Sequence, residues 1–128
     1  LEEITNKKEI PVLTPMGLNK ENNPYNINAD TASGAVAKAL NSRRLLLMTN
    51  VEGVYDKNKI LMPEITPAEA NRMIDEKIIV SGMIPKINTC IDAVKNGVRG
   101  VVIIDGRKKH SILYEIFSDK GAGTLIRQ

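Results

Sequence analysis

Leu45-Leu46-Leu47-Met48 and Val101-Val102-Ile103-Ile104 are runs without a single polar side chain. A strand with one wet face alternates apolar and polar residues, so uninterrupted runs are expected of strands covered on both faces, as in a parallel sheet. The cover must come from helices, and the stretches around the runs have helical periodicity. Ala32, Ala35, Val36, Ala39 and Leu40 recur on one helical face. Thr66-Pro67-Ala68-Glu69 has the form of a capping box with proline at the first helical position, and Ile65 stands at staple spacing from Ala70, so a helix is expected from Pro67. Ile84, Ile87, Ile91 and Val94 mark another helix that closes at Asn96-Gly97, where glycine suits a left-handed cap. Ile112, Leu113, Ile116 and Phe117 form a further helical stripe, and Thr124-Leu125-Ile126 a short last strand. Strands alternating with helices predict an α/β domain with a mostly parallel sheet.

Ahead of this pattern, Ile10-Pro11-Val12-Leu13-Thr14 has strand composition, and its flanking prolines place it at an edge or strand end. Lys20 to Pro24 is turn material, and Tyr25-Asn26-Ile27 is expected to return as the second strand of a hairpin. The 128 residues suffice for one layered core. The chain opens at Leu1 in the charged run Leu-Glu-Glu-Ile-Thr-Asn-Lys-Lys-Glu, which reads as the end of a helix begun upstream.

Charge narrows the function. Residues 1–64 carry eight basic and eight acidic side chains and residues 65–128 ten and seven, so the whole net charge of +3 lies in the second half. Duplex binding needs a dense Lys/Arg stripe, and stacking on single strands needs aromatic platforms; aromatics are 3% of this chain. A small anionic ligand fits better than nucleic acid. The single Cys90 has no partner for an internal disulfide. No apolar stretch approaches the ~20 residues of a spanning helix, and the N-terminus lacks a signal-peptide plan. A cytoplasmic protein that engages no membrane is expected.

In open α/β sheets ligands gather where strands run into helix N-termini, and three such junctions are unusual. Asn26-Ile27-Asn28-Ala29-Asp30 brings short polar side chains to a helix start, where amides and the dipole favour anions; a plain N-cap at Asn28 or Asp30 has the same look. Thr49-Asn50-Val51-Glu52-Gly53-Val54-Tyr55-Asp56 follows the first apolar run, with Gly53 permitting close backbone approach; a simple hairpin loop has a similar composition. Ser81-Gly82-Met83-Ile84-Pro85-Lys86 places a lysine in the first turn of a helix, against the dipole at a cost of roughly 0.3–1 kcal/mol. A phosphate would reverse that sign, while solvation on the helix flank is the other reading. Arg107-Lys108-Lys109-His110 reads as a solvated helix entry, with contact to phosphates as its other reading, and Gly121-Ala122-Gly123-Thr124 as a turn.

Taken in order, Tyr25–Asp30, Thr49–Asp56, Ser81–Lys86 and Glu115-Ile116-Phe117 through Gly121-Ala122-Gly123-Thr124 resemble the acetylglutamate kinases of the amino-acid kinase family. The resemblance covers essentially the whole chain. It implies a three-layer αβα fold with a mostly parallel central sheet, and makes residues 1–128 the C-terminal, ATP-binding part of a longer domain. That family uses ATP and Mg²⁺ to phosphorylate the side-chain carboxylate of N-acetyl-L-glutamate in arginine biosynthesis, and a homo-oligomer is implied for the full-length form. By resemblance, Lys86 and Asp30 are catalytic, and Asn26 and Asn28 meet the acetylated substrate. Asn50, Val51, Glu52, Gly53, Val54 and Tyr55, with Ile78, Ile79, Val80, Ser81, Gly82 and Met83, hold ATP. Lys86 would stabilise the transferring phosphoryl group, with Asp30 organising the lysines.

One motif departs from the family pattern: Asn50 stands where an aspartate is usual. The family's Lys-Gly-Gly phosphate loop with a second lysine, its Gly-Gly substrate segment and its carboxylate-binding arginine belong to an N-terminal half that this sequence lacks. The expectation is therefore a fragment inactive alone. Its alternatives are a sibling kinase acting on aspartate, glutamate or a nucleoside monophosphate, or a non-catalytic nucleotide-binding module.

Overall fold

A computed structural model describes residues 1–128. In chain order the elements are α1 (Glu2–Asn6), β1 (Met16–Leu18), β2 (Pro24–Asn26), α2 (Ala29–Ala39), β3 (Leu45–Thr49), β4 (Glu64–Ile65), α3 (Pro67–Asp75), α4 (Met83–Lys95), β5 (Val101–Asp105), α5 (Ser111–Phe117) and β6 (Gly123–Ile126). No helix is long and apolar enough to cross a membrane.

The two apolar runs are neighbours. β3 and β5 pair in parallel from Leu45 opposite Val101 to Thr49 opposite Asp105. β6 pairs antiparallel with β5 on its other side and parallel with β4, giving the order β3-β5-β6-β4. Every residue of β5 is buried. Val101 and Ile103 join the core cluster that α3 and α4 close with Ala70, Met73, Ile87, Ile91 and Val94. Val102 and Ile104 lie outside that cluster yet are equally buried, as the two-residue period of a strand requires. α5 covers β5 from their side, completing three layers around a mostly parallel sheet.

Local chemistry sets the helix ends. Thr66 and Glu69 form the reciprocal capping box at the start of α3, and Ile65 and Ala70 are both buried there. Asn96 caps α4, followed by Gly97 at φ +103°. α2 and α4 pack side by side and run parallel, pinned by Asp30–Lys86 near their starts and Lys38–Asp92 further along. Cys90 is fully buried on α4, and burial pushes its thiol up to about 12, so it stays a protonated core residue.

Two expectations are corrected. The first hairpin strand is Met16–Leu18 instead of Ile10–Thr14. Asn19 decides the register: its side-chain oxygen accepts the backbone N–H groups of Glu21 and Asn23 and fixes the turn. No strand lies beside Ile10–Thr14, and Ile10 and Val12 are 89% and 91% exposed. Secondly, α5 turns Ser111 and Glu115 inward while Ile112, Leu113, Ile116 and Phe117 face water. Glu115 can be buried because Arg44 pairs with it at 2.8 Å and the Ala122 N–H donates to it at 2.9 Å. β4, unanticipated from the sequence, has two residues, too few for periodicity to register.

Gly123 marks the tightest approach in the sheet, since a Cβ there would overlap the Ile103 carbonyl oxygen and press on that of Glu52. Gly123→Ala should therefore lower unfolding stability by about 1–3 kcal/mol in urea titrations. Gly82→Ala, with open space at the same atom, should leave it unchanged or slightly raised.

Candidate functional site

α2 precedes β3 and α4 precedes β5, each helix running back across the sheet. Both helix starts therefore lie at the carboxyl ends of β3 and β5, where the 49–56 and 105–110 loops emerge. Asp30 in the first turn of α2 and Lys86 in the first turn of α4 meet there, with Lys86 Nζ donating to the Asp30 carboxylate at 2.6 Å. The Lys86 side chain is 13% exposed and that of Asp30 27%. Asp30 thus supplies the negative charge that a cation at a helix N-terminus lacks, while itself occupying a site the α2 dipole favours. A half-buried ammonium is held at the sheet edge in a fixed direction.

At the same end of the sheet the backbone offers donors. The N–H groups of Val80, Ser81 and Gly82 have no acceptor within the chain, and neither have those of Asn50, Val51, Glu52 and Gly53. Ser81 adopts φ +47°, and Gly82 caps α4 without a side-chain hydrogen bond. Free amides beside an ammonium suit the oxygens of a polyphosphate. Met83, expected among these donors, gives its N–H to the Val80 carbonyl at 3.2 Å.

The other expected residues divide by role. Asn28 caps α2, its side-chain oxygen accepting the Thr31 N–H at 3.1 Å, which leaves only its amide NH₂ to donate. Asn26 lies on β2 opposite Met16, exposed. Val54 and Ile79 are buried in the core, so their part in any ligand site is limited to backbone. Ile78 packs against that core, half-buried. Glu52 is tied from two sides, accepting the Tyr55 hydroxyl at 2.9 Å and pairing with Lys108. These contacts, led by the bond from Lys108, lower the Glu52 carboxyl, while Glu52 raises the Tyr55 hydroxyl.

Asp105 is a functional-end residue that sequence reasoning missed. Its carboxylate accepts the Arg107 guanidinium at 2.9 and 3.0 Å and the Arg107 backbone N–H at 2.9 Å. The guanidinium first, then that N–H, hold its carboxyl down to about 2. The available signal was a carboxylate directly after an all-apolar strand and before Gly106. The lysines of the 107–110 run also prove less free than a solvated entry implies, since Lys108 engages Glu52. Lys108, Lys109 and Lys120 line a cleft of about 460 Å³ beside the Gly121–Gly123 turn. Neither Lys86 nor Asp30 borders it, so it is a separate feature of the same sheet end.

Comparison with known proteins follows this geometry. The profile of the "Amino acid kinase family" matches residues 1–105. The chain is 54% identical over all 128 residues to the acetylglutamate kinase of Pelagibacter ubique, and 49% identical over the same span to that of Methylobacterium nodulans. It spans 44% and 42% of the length of those two proteins. Among solved structures, smu.665 from Streptococcus mutans is 38% identical with a TM-score of 0.80, over 98% of this chain and 46% of that one. An N-acetylglutamate synthase from Neisseria gonorrhoeae, 24% identical, superposes at a TM-score of 0.92 over 98% of this chain and 29% of that one, a likeness of fold.

The carboxylates at this sheet end give folding a pH dependence. Asp105 is depressed to about 2 in the folded chain against about 3.9 unfolded. Between those values the unfolded state binds more protons, so the stabilisation is present above about pH 4 and is lost as pH falls toward 2. Glu52 and Glu69, also lowered, add to the same slope. Urea midpoints recorded from pH 6 to 2.5 should fall less steeply for Asp105→Asn than for the wild-type chain; identical slopes would contradict the assignment.

Proposed function

The chain belongs to the amino acid kinase family, and from that premise we propose that it is the nucleotide-binding part of an acetylglutamate kinase. The reaction moves the γ-phosphoryl group of ATP to the side-chain carboxylate of N-acetyl-L-glutamate. A carboxylate oxygen forms the new bond to phosphorus, the bond to the β–γ bridging oxygen breaks, and ADP departs. The observation that carries this reading is the Lys86–Asp30 pair set beside unbonded amides at the carboxyl end of the sheet. The naming of the two relatives above supports the choice of acceptor.

MgATP, when bound, supplies the phosphoryl group and a metal that shields its charge. The rest falls to the chain's own groups. The amides of Val80–Gly82 and Asn50–Gly53 would take phosphate oxygens. Lys86 would neutralise charge spread over the equatorial oxygens at transfer, the largest service a protein gives such a reaction. Asp30 holds the ammonium aimed, so little reorganisation is needed at the moment of reaction. Asn26 and the free NH₂ of Asn28 are available to the acetylated substrate. Asn50, neutral where the family has aspartate, favours a second reading for the chain taken alone: a module that binds nucleotide without turnover.

Calorimetric titration of the folded chain with MgATP should show binding, weakened about tenfold by Lys86→Ala; absence of any heat at saturating ligand would refute the proposal. Joined to the upstream portion of the Pelagibacter ubique relative, the chain should phosphorylate N-acetyl-L-glutamate in preference to aspartate, glutamate or a nucleoside monophosphate. There Lys86→Ala should lower kcat by about 10²–10³. Nucleotide binding without turnover in that chimera would favour the module.

A further inference from the structure

Thr124 lies on β6, more than sixty residues from the 50–56 loop, and is completely buried. Its hydroxyl is used in both directions. It accepts the Val54 N–H at 2.8 Å and donates to the Met62 carbonyl at 2.6 Å. Val54 and Met62 are the two feet of the 54–62 excursion, joined to each other by the Met62 N–H donating to the Val54 carbonyl at 2.8 Å. One hydroxyl thus closes a three-membered junction of loop foot, returning strand and terminal strand. Gly53 is pressed onto the same hydroxyl so closely that a Cβ there would overlap it.

The position of this junction gives it a consequence for the loop. Reading forward from β3, the N–H groups of Asn50, Val51, Glu52 and Gly53 find no acceptor in the chain, and that of Val54 is the first that does. Besides the ties of the Glu52 side chain to Tyr55 and Lys108, the direction of the free amides is set by the two backbone points between which the loop hangs. One is Thr49, paired to Asp105 in the sheet, and the other is Val54 on Thr124. We infer that Thr124 is a positioning residue for anion binding by the 50–53 amides, acting through Val54. A γ-methyl in place of its hydroxyl would leave a buried N–H and a half-buried carbonyl without partners, and the loop would resolve this by lifting its second foot. Serine would keep the bond. The inference rests on the reading of this loop as nucleotide-binding.

The test compares wild type, Thr124→Val and Thr124→Ser, with Val94→Ala as a core variant in the last turn of α4, at the opposite end of the sheet. Amide exchange at Val54 is followed by NMR and affinity for Mg-AMPPNP by calorimetry. Thr124→Val should raise Val54 exchange at least tenfold and weaken nucleotide binding about tenfold. Thr124→Ser should stay within about threefold of wild type in both, and Val94→Ala should lose stability with affinity intact. If Val94→Ala weakens binding as much as Thr124→Val, the effect is global and the positioning role falls. Unchanged affinity in Thr124→Val with Val54 exposed also overturns it. Should Thr124→Val not fold, the wild-type chain decides: the Thr124 hydroxyl proton must exchange slowly, and rapid exchange refutes the clamp. If wild type binds no Mg-AMPPNP, the nucleotide reading fails and the positioning role with it, while Val54 exchange still reports whether the clamp exists.

Discussion

β5 is buried on both faces and paired on both edges, and each of its five residues has to meet a different neighbour. Val101 and Ile103 face α4, Val102 and Ile104 face the other side of the sheet, and Asp105 emerges at the end where Arg107 receives it. Burying four branched aliphatic side chains removes of order 1.5–3 kcal/mol of exposed apolar surface apiece, set against the ordering of a central strand. Because the strand is fully enclosed, its register is unforgiving. A slip by one residue would exchange the side chains facing α4 with those facing the opposite layer and part Asp105 from Arg107. The loops at its carboxyl end inherit their positions from that constraint.

The Lys86–Asp30 pair shows how a fold can hold a cation where the local field is hostile. Two parallel helices point their N-termini to the same place, which suits Asp30 and disfavours Lys86. The cost at Lys86 is offset within the molecule by a carboxylate 2.6 Å away, so the lysine needs no ligand to be tolerated. That weakens the inference from electrostatic anomaly alone, and shifts the weight to the combination of a half-buried ammonium with amides that have no partner. A cation satisfied by one carboxylate still has two further N–H donors to offer.

Much of this was legible in the residues. The apolar runs, the Thr66–Glu69 box and the Asn96-Gly97 stop each carry a local physical signal, and the structure follows them. What failed were patterns whose outcome depends on distant partners. Ile10–Thr14 has strand composition, yet a strand needs a neighbour, and the Asn19 turn set the hairpin elsewhere. The stripe on α5 has helical spacing, but Arg44, 71 residues back, and the Ala122 amide beyond the helix end decide that Glu115 turns inward. Asp30 and Lys86 could be named as candidates from their positions at helix starts, whereas their contact, 56 residues apart, could only come from the packing of α2 on α4. Thr124 gave no sign of its importance, since a threonine in a terminal strand is ordinary and both its partners lie some seventy and sixty residues back.

The sheet order places β3, the first of the two apolar runs, at the rim. Its inner edge is satisfied by β5, while its outer edge pairs with no strand of this chain. No proline, charge or bulge interrupts Leu45–Thr49, the devices by which exposed rims usually escape pairing with foreign strands. Of the two rim strands, β4 has only two residues, so β3 is the place where a further strand, from this protein or from another, has the longer ladder of peptide groups on which to extend the sheet.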